Sequence, residues 1–100
     1  MILFYITCKD DKEAKKIGKH LLDNGLIACA NYFPIRNMYW WSGEVTSDKE
    51  FVLIAKTINE KKEQVIKEVK DIHSYTIPCI LSFEVEANPE FMEWVNEQFE

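Results

Sequence analysis

The stretch NMYWWSGEVTSDKEFVLIAKT, residues 37–57, decides the fold. It opens on bulky β-formers, passes through a polar middle with Ser42-Gly43, and ends apolar again in FVLIAKT. Two extended segments around a turn make a hairpin. The turn is expected within SGEVTSDKE, between arms of about 35–46 and 49–58. Successive side chains of a strand point to opposite faces. Trp40 and Trp41 therefore face opposite ways, one onto its own sheet and the other toward a different neighbour.

Upstream, ILFYIT (2–7) is a continuous apolar run, as in a strand covered on both sides at the centre of a sheet. Asp10 then offers an N-cap with Glu13 at the capping-box position. Ala14, Ile17, Gly18, Leu21 and Leu22 form one helical stripe, with the lysines largely outside it. Gly25 ends that helix, which spans about 10–24. LIACANYF (26–33) is the next strand, and Pro34 places it at an edge or a bulge because proline donates no ladder hydrogen bond.

Downstream, Asn59 is positioned to cap a second helix of about 60–72, with Val65, Ile66, Val69 and Ile72 inward. HSYTIP (73–78) connects to CILSFEVE, which alternates as a half-exposed strand. Asn88 is read as the cap of a last helix, with Pro89 at its first position. Phe91, Trp94, Val95 and Phe99 form that helix's apolar face. The order β-α-β-β-α-β plus a terminal helix, in a single domain 1–100, gives an α+β, ferredoxin-like antiparallel sheet. Both main helices of that fold lie on one face of the sheet. The other face here is apolar and uncovered, and with the aromatic hairpin it predicts self-association.

A net charge of −5 and a single arginine, Arg36, argue against nucleic acid and anionic membrane surfaces as partners. No apolar run approaches the ~18 residues of a membrane span. The N-terminus lacks a basic leader, and three scattered cysteines make no disulfide framework, so a reducing cytoplasm is expected. Cysteines 29 and 79 read as small buried residues. Cys8, at a strand end beside a loop, is the thiol best placed for reaction or metal contact. His20 reads as solvated surface. His73 lies at a helix end, where either capping or a binding role is open. GxSxG, HExxH and a glycine-rich phosphate loop are all absent, so no enzyme is expected. The segment TCKDD after the first strand lacks the arginine and glycines of an acylphosphatase loop, and the RNA-binding RNP1 run is missing.

The chain resembles the CutA family of divalent-cation tolerance proteins nearly end to end. The resemblance is carried by Thr7; by Leu26, Ala28, Cys29, Asn31 and Pro34; and by Tyr39, Trp41, Gly43 and Val45. Lys56-Thr57, then His73, Tyr75, Pro78 and Ile80, and finally Phe91 and Trp94 continue it in order. It implies a homotrimer similar to the PII signalling proteins, a role in tolerance to divalent metals, copper above all, and no obligatory cofactor. Inter-subunit pockets would draw on Tyr39, Trp40, Trp41, Glu44, Lys56, His73 and Tyr75. The copper ligands proposed for the family are a cysteine just before the strand-one threonine and a histidine pair. Here those places hold Ile6 and Ile72, so only His73 carries over, with Cys8 as a nearby thiol, and copper or another divalent cation is expected to bind weakly. The alternative is a PII-like sensor that binds a small molecule and acts on a protein partner.

Overall fold

The computed structural model describes all 100 residues. The elements run β1 (Ile2–Cys8), α1 (Asp11–Asp23), β2 (Cys29–Trp41), β3 (Glu44–Thr57), α2 (Lys62–Ile72), β4 (Ile80–Glu84) and α3 (Pro89–Glu97). The four strands form one antiparallel sheet in the order β2-β3-β1-β4. This is the expected ferredoxin-like topology, with β1 central and β2 at an edge, where Pro34 costs no internal ladder bond.

Alternation sorts each strand. Ile2, Phe4, Ile6 and Cys8 of β1 and Leu53 and Ala55 of β3 point toward the helices. They form one core with Ala14, Ile17 and Leu21 of α1 and Val65 and Val69 of α2. Leu3, Tyr5 and Thr7 point the other way and are only partly covered. Leu81 and Phe83 of β4 lie opposite Tyr5 and Leu3 on that second face and stay exposed, while Ile80 packs against the core.

Helix α1 starts where Asp10 Oδ1 accepts the Glu13 amide at 2.8 Å. It ends in a Schellman turn: Leu26 N–H donates to Leu21 O, Gly25 N–H donates to Leu22 O, and Gly25 takes φ +65°. Leu26 and Ile27 are buried, yet the strand begins only at Cys29. The second helix departs from its expected start. Residues Asn59–Lys61 form one 3₁₀ turn, and the Asn59 side chain makes no capping bond. Asn88 stands at the cap position of α3, but its amide donates to Glu90 at 2.9 Å instead of capping. Cysteines 29 and 79 are half-buried rather than core residues, because Cys29 opens β2 and Cys79 lies just before β4. His20 is tied to Glu68 at 3.3 Å, linking α1 to α2, so it is not free surface.

The hairpin turn is tighter than the sequence suggests. Ser42 (φ 50°) and Gly43 (φ 79°) alone reverse the chain, the pair of positive φ values of a type I′ turn. The polar run Glu44–Glu50 is strand, paired in register from Trp41↔Glu44 to Ile35↔Glu50. Its polarity reflects a solvated arm and not a loop. β1 ends opposite Phe51, so both arms beyond that point have no third strand beside them. The molecule is accordingly long, 47 × 26 × 21 Å.

Candidate functional site

Where the hairpin leaves the sheet, four elements meet: the end of β1, the start of α1, the end of α2 and the base of the hairpin. His73 terminates α2, its amide donating to Val69 O. Its Nε2 donates to Thr7 O at 2.8 Å, and its Nδ1 accepts the Tyr75 amide at 3.0 Å. A carbonyl can only accept and an amide N–H can only donate, so the ring is the neutral tautomer protonated on Nε2. Tyr75 tilts against the imidazole, with ring centroids 4.8 Å apart.

Glu13 holds the other side. Its Oε1 accepts the Lys9 amide at 2.9 Å and its Oε2 accepts the Ser74 amide at 3.0 Å. The capping box is thus displaced by one residue and extended to a loop 61 positions away. Burial alone raises the Glu13 carboxyl, but the hydrogen bonds from Ser74 and Lys9 outweigh it and hold the group below its usual value.

On the second face of the sheet, Tyr75 Oη donates to Glu50 Oε2 at 2.7 Å. Glu50 Oε1 accepts from Asn37 Nδ2, and Asn37 Oδ1 accepts the Asp48 amide at 2.8 Å. Burial pushes the Tyr75 phenol well above its ordinary range, and the bond to Glu50 and its charge add to the shift. The loop after α2 therefore clasps the hairpin base through Tyr75 and the helical layer through His73 and Ser74. Glu13, Asn37 and Glu50 escape a reading of the sequence. Only the placement of Glu13 three residues after Asp10 was a signal, and it pointed to capping.

Cys8 is fully buried beside this clasp. Burial first, then the charges of Glu13, Glu50 and Asp10, push its thiol up to about 12, so it is no reactive thiolate at neutral pH. Ligand atoms of Cys8, Glu13 and His73 lie within 4.8 Å of one another, a donor set of the kind that soft or borderline metals take. The arrangement does not fit a resident ion. Both imidazole nitrogens and both carboxylate oxygens are already in hydrogen bonds, and the thiol keeps its proton. A metal here has to break partly buried bonds to Thr7, Tyr75, Lys9 or Ser74, each costing about 0.5–1.5 kcal/mol.

The remaining candidates lie elsewhere. Lys56 Nζ donates to Asn31 at 3.1 Å and sits 5.4 Å from the Phe91 ring centroid. Tyr39, Trp40, Trp41 and Glu44 occupy the hairpin tip. Along β3, Glu50 is midway between Glu44 and Lys56, roughly 20 Å from each at about 3.3 Å per residue. One chain therefore brings His73 and Tyr75 together but not the tip or Lys56. At the tip, Trp40 is 74% and Trp41 67% exposed, with Met38 at 80%. Neither tryptophan packs on its own sheet, contrary to expectation, because the arms extend past every other element.

The profile of the family described as CutA1 divalent ion tolerance protein matches residues 2–98. The chain is 44% identical over 97 residues to the divalent-cation tolerance protein CutA of Archaeoglobus fulgidus, covering 96% of this chain and 95% of that one. It is 43% identical over 98 residues to the CutA of Thermotoga maritima, covering 97% of each. Among solved structures, the A. fulgidus CutA, described as periplasmic, superposes with TM-score 0.94 at 43% identity over 100% of both chains. A point variant of Pyrococcus horikoshii CutA1 gives 0.95 at 37%, covering 100% of this chain and 99% of that one.

Proposed function

Because the chain belongs to the CutA1 family of divalent ion tolerance proteins, we propose that it is a non-enzymatic homotrimer serving the response to divalent metal ions. Matches over nearly its whole length to proteins named for that tolerance support the role. The observation that carries the assembly is the hairpin tip. Met38, Trp40, Trp41 and Val45 are all more than 60% exposed, on both faces of a ribbon that one chain cannot cover. Copies that cover each other's tips remove that apolar surface from water and bring aromatic walls toward the His73–Tyr75 clasp and Lys56 of a neighbour.

Direct contact with copper or another divalent cation is weak in this reading, since the imidazole and carboxylate at Cys8–Glu13–His73 are committed to the clasp. The Cys8 thiol and the Tyr75 hydroxyl are both held protonated, which supports a role without turnover. Three free thiols suit a reducing cytoplasm. No helix is long and apolar enough to cross a membrane.

The test has two parts. Light scattering at micromolar concentration should give three times the 11.8 kDa of the chain; a single-chain mass refutes the trimer. Titration with Cu(I), Cu(II) and Zn(II) should show weak binding, weakened further by His73→Ala. Tight stoichiometric binding that survives His73→Ala sinks this account and moves the metal to the cysteines.

A further inference from the structure

An acidic chain has few cations to spare, and three of its twelve meet at one cavity. The cavity, about 480 Å³, opens between the hairpin base and the β1–α1 junction and is lined by Lys9, Arg36 and Lys49 with Pro34 and Phe51. Arg36 is the only arginine in the sequence. It stands directly opposite Lys49 in the β2–β3 register, so both side chains leave the same face of the hairpin. Like charges directly opposite each other destabilise a strand pair. Neither they nor Lys9 forms an ion pair; the chain's two lie at Lys19–Asp23 and His20–Glu68.

Two acids, Asp10 and Glu50, also line the cavity and offset part of this charge, but neither forms an ion pair with the three cations, which leaves the lining net positive. The Glu50 carboxylate turns to the opposite face of the sheet, where Tyr75 and Asn37 hold it. Asp10 is engaged through Oδ1 in capping α1. The next cavity, about 150 Å³ between Met1 and Asn96, has no lysine or arginine in its lining.

We propose that the Lys9–Arg36–Lys49 cavity binds a small phosphate monoester, the dianion against the three cations and the organic part against Pro34 and Phe51. A guanidinium pairs two oxygens of such a group at once, and lysines add point charge. The volume lies within the range of small-molecule sites. This reading goes beyond cation response and depends neither on it nor on the assembly.

Calorimetric titration of the full chain with glycerol 3-phosphate, in sodium chloride of matched ionic strength, tests it. The expected result is saturable binding, one per chain, weakened at least about tenfold by Arg36→Gln and severalfold by Lys49→Gln. Lys67→Gln, on the exposed side of α2, should leave it unchanged. Without ligand, Arg36→Gln should raise the melting temperature by relieving the Lys49 repulsion, and glycerol 3-phosphate should then raise it no further. Four outcomes overturn the proposal: no saturation by about 10 mM, equal binding in Arg36→Gln, equal weakening in Lys67→Gln, or tighter binding of succinate than of glycerol 3-phosphate.

Discussion

The two ends of the β2–β3 hairpin are built on opposite principles. At the base, polar groups from four elements are mutually saturated. Glu13, Glu50, His73 and Tyr75 all have partners, and no buried side-chain nitrogen or oxygen in the molecule lacks one. At the tip, large apolar side chains touch only the ribbon itself and stay mostly in water. The difference teaches where this protein keeps its own order and where it leaves apolar surface uncovered. A saturated clasp fixes the hairpin's direction. A rigid arm can then present aromatic surface with little loss of freedom on association.

The largest effect expected from breaking this contrast is at the tip. Replacing both Trp40 and Trp41 by alanine should dissociate the proposed trimer, read as a fall to the single-chain mass by light scattering, while circular dichroism keeps the fold. A trimer unaffected by the double change moves the interface to the open sheet face of Leu81 and Phe83.

The base should answer in stability instead. Glu13→Ala leaves the partly buried amides of Lys9 and Ser74 without their acceptor and should cost about 1–3 kcal/mol in urea unfolding. Tyr75→Phe removes one donor from Glu50, which keeps Asn37, and should cost about 1–2 kcal/mol. If either change shifts the oligomer mass more than the stability, the two ends are not separate in function.

The Glu13 carboxyl also gives a pH signature. Its folded value lies below the unfolded 4.5, so its contribution is complete above that pH and is lost as pH falls through the lowered folded value. Acid unfolding of the natural chain should therefore steepen below about 4.5, and Glu13→Gln should flatten that limb. An identical acid limb in the variant shows that the clasp does not depend on the charge.

Two smaller effects sharpen the picture. At neutral pH, iodoacetamide should modify Cys29 and Cys79 before Cys8, read by peptide mass, because the Cys8 thiol is buried and stays protonated to about 12. Early modification of Cys8 means that the clasp opens readily. Ser42→Asn should raise stability by a few tenths of a kcal/mol, since asparagine suits the positive φ of the first turn position better than serine. A loss instead puts Ser42 in a contact with a second copy.

Much of the fold is legible in the chain because its elements are encoded locally. ILFYIT at β1, the 3.6-residue stripe from Ala14 to Leu22 and the alternation after Cys79 each announce their geometry within a few residues. The boundaries that slipped are also instructive. Thr46 to Glu50 looks like a loop because it is polar, but a strand that is solvated on both faces has no need of apolar residues. Asn59 and Asn88 look like caps, yet side-chain capping competes with other partners, and at Asn88 the partner is Glu90.

The sequence by itself determined the elements, their order, the central place of β1 and the family, since periodicity and motif spacing are properties of neighbouring residues. Only the tertiary structure decided what the site is. His73 meets Thr7 across 66 positions, Ser74 meets Glu13 across 61, and Tyr75 meets Glu50 across 25. Each bond exists because a helix end and a hairpin base are brought together by packing elsewhere in the core. No local pattern carries that information. The same packing left Trp40 and Trp41 uncovered, because β1 ends opposite Phe51 while the hairpin continues to residue 43.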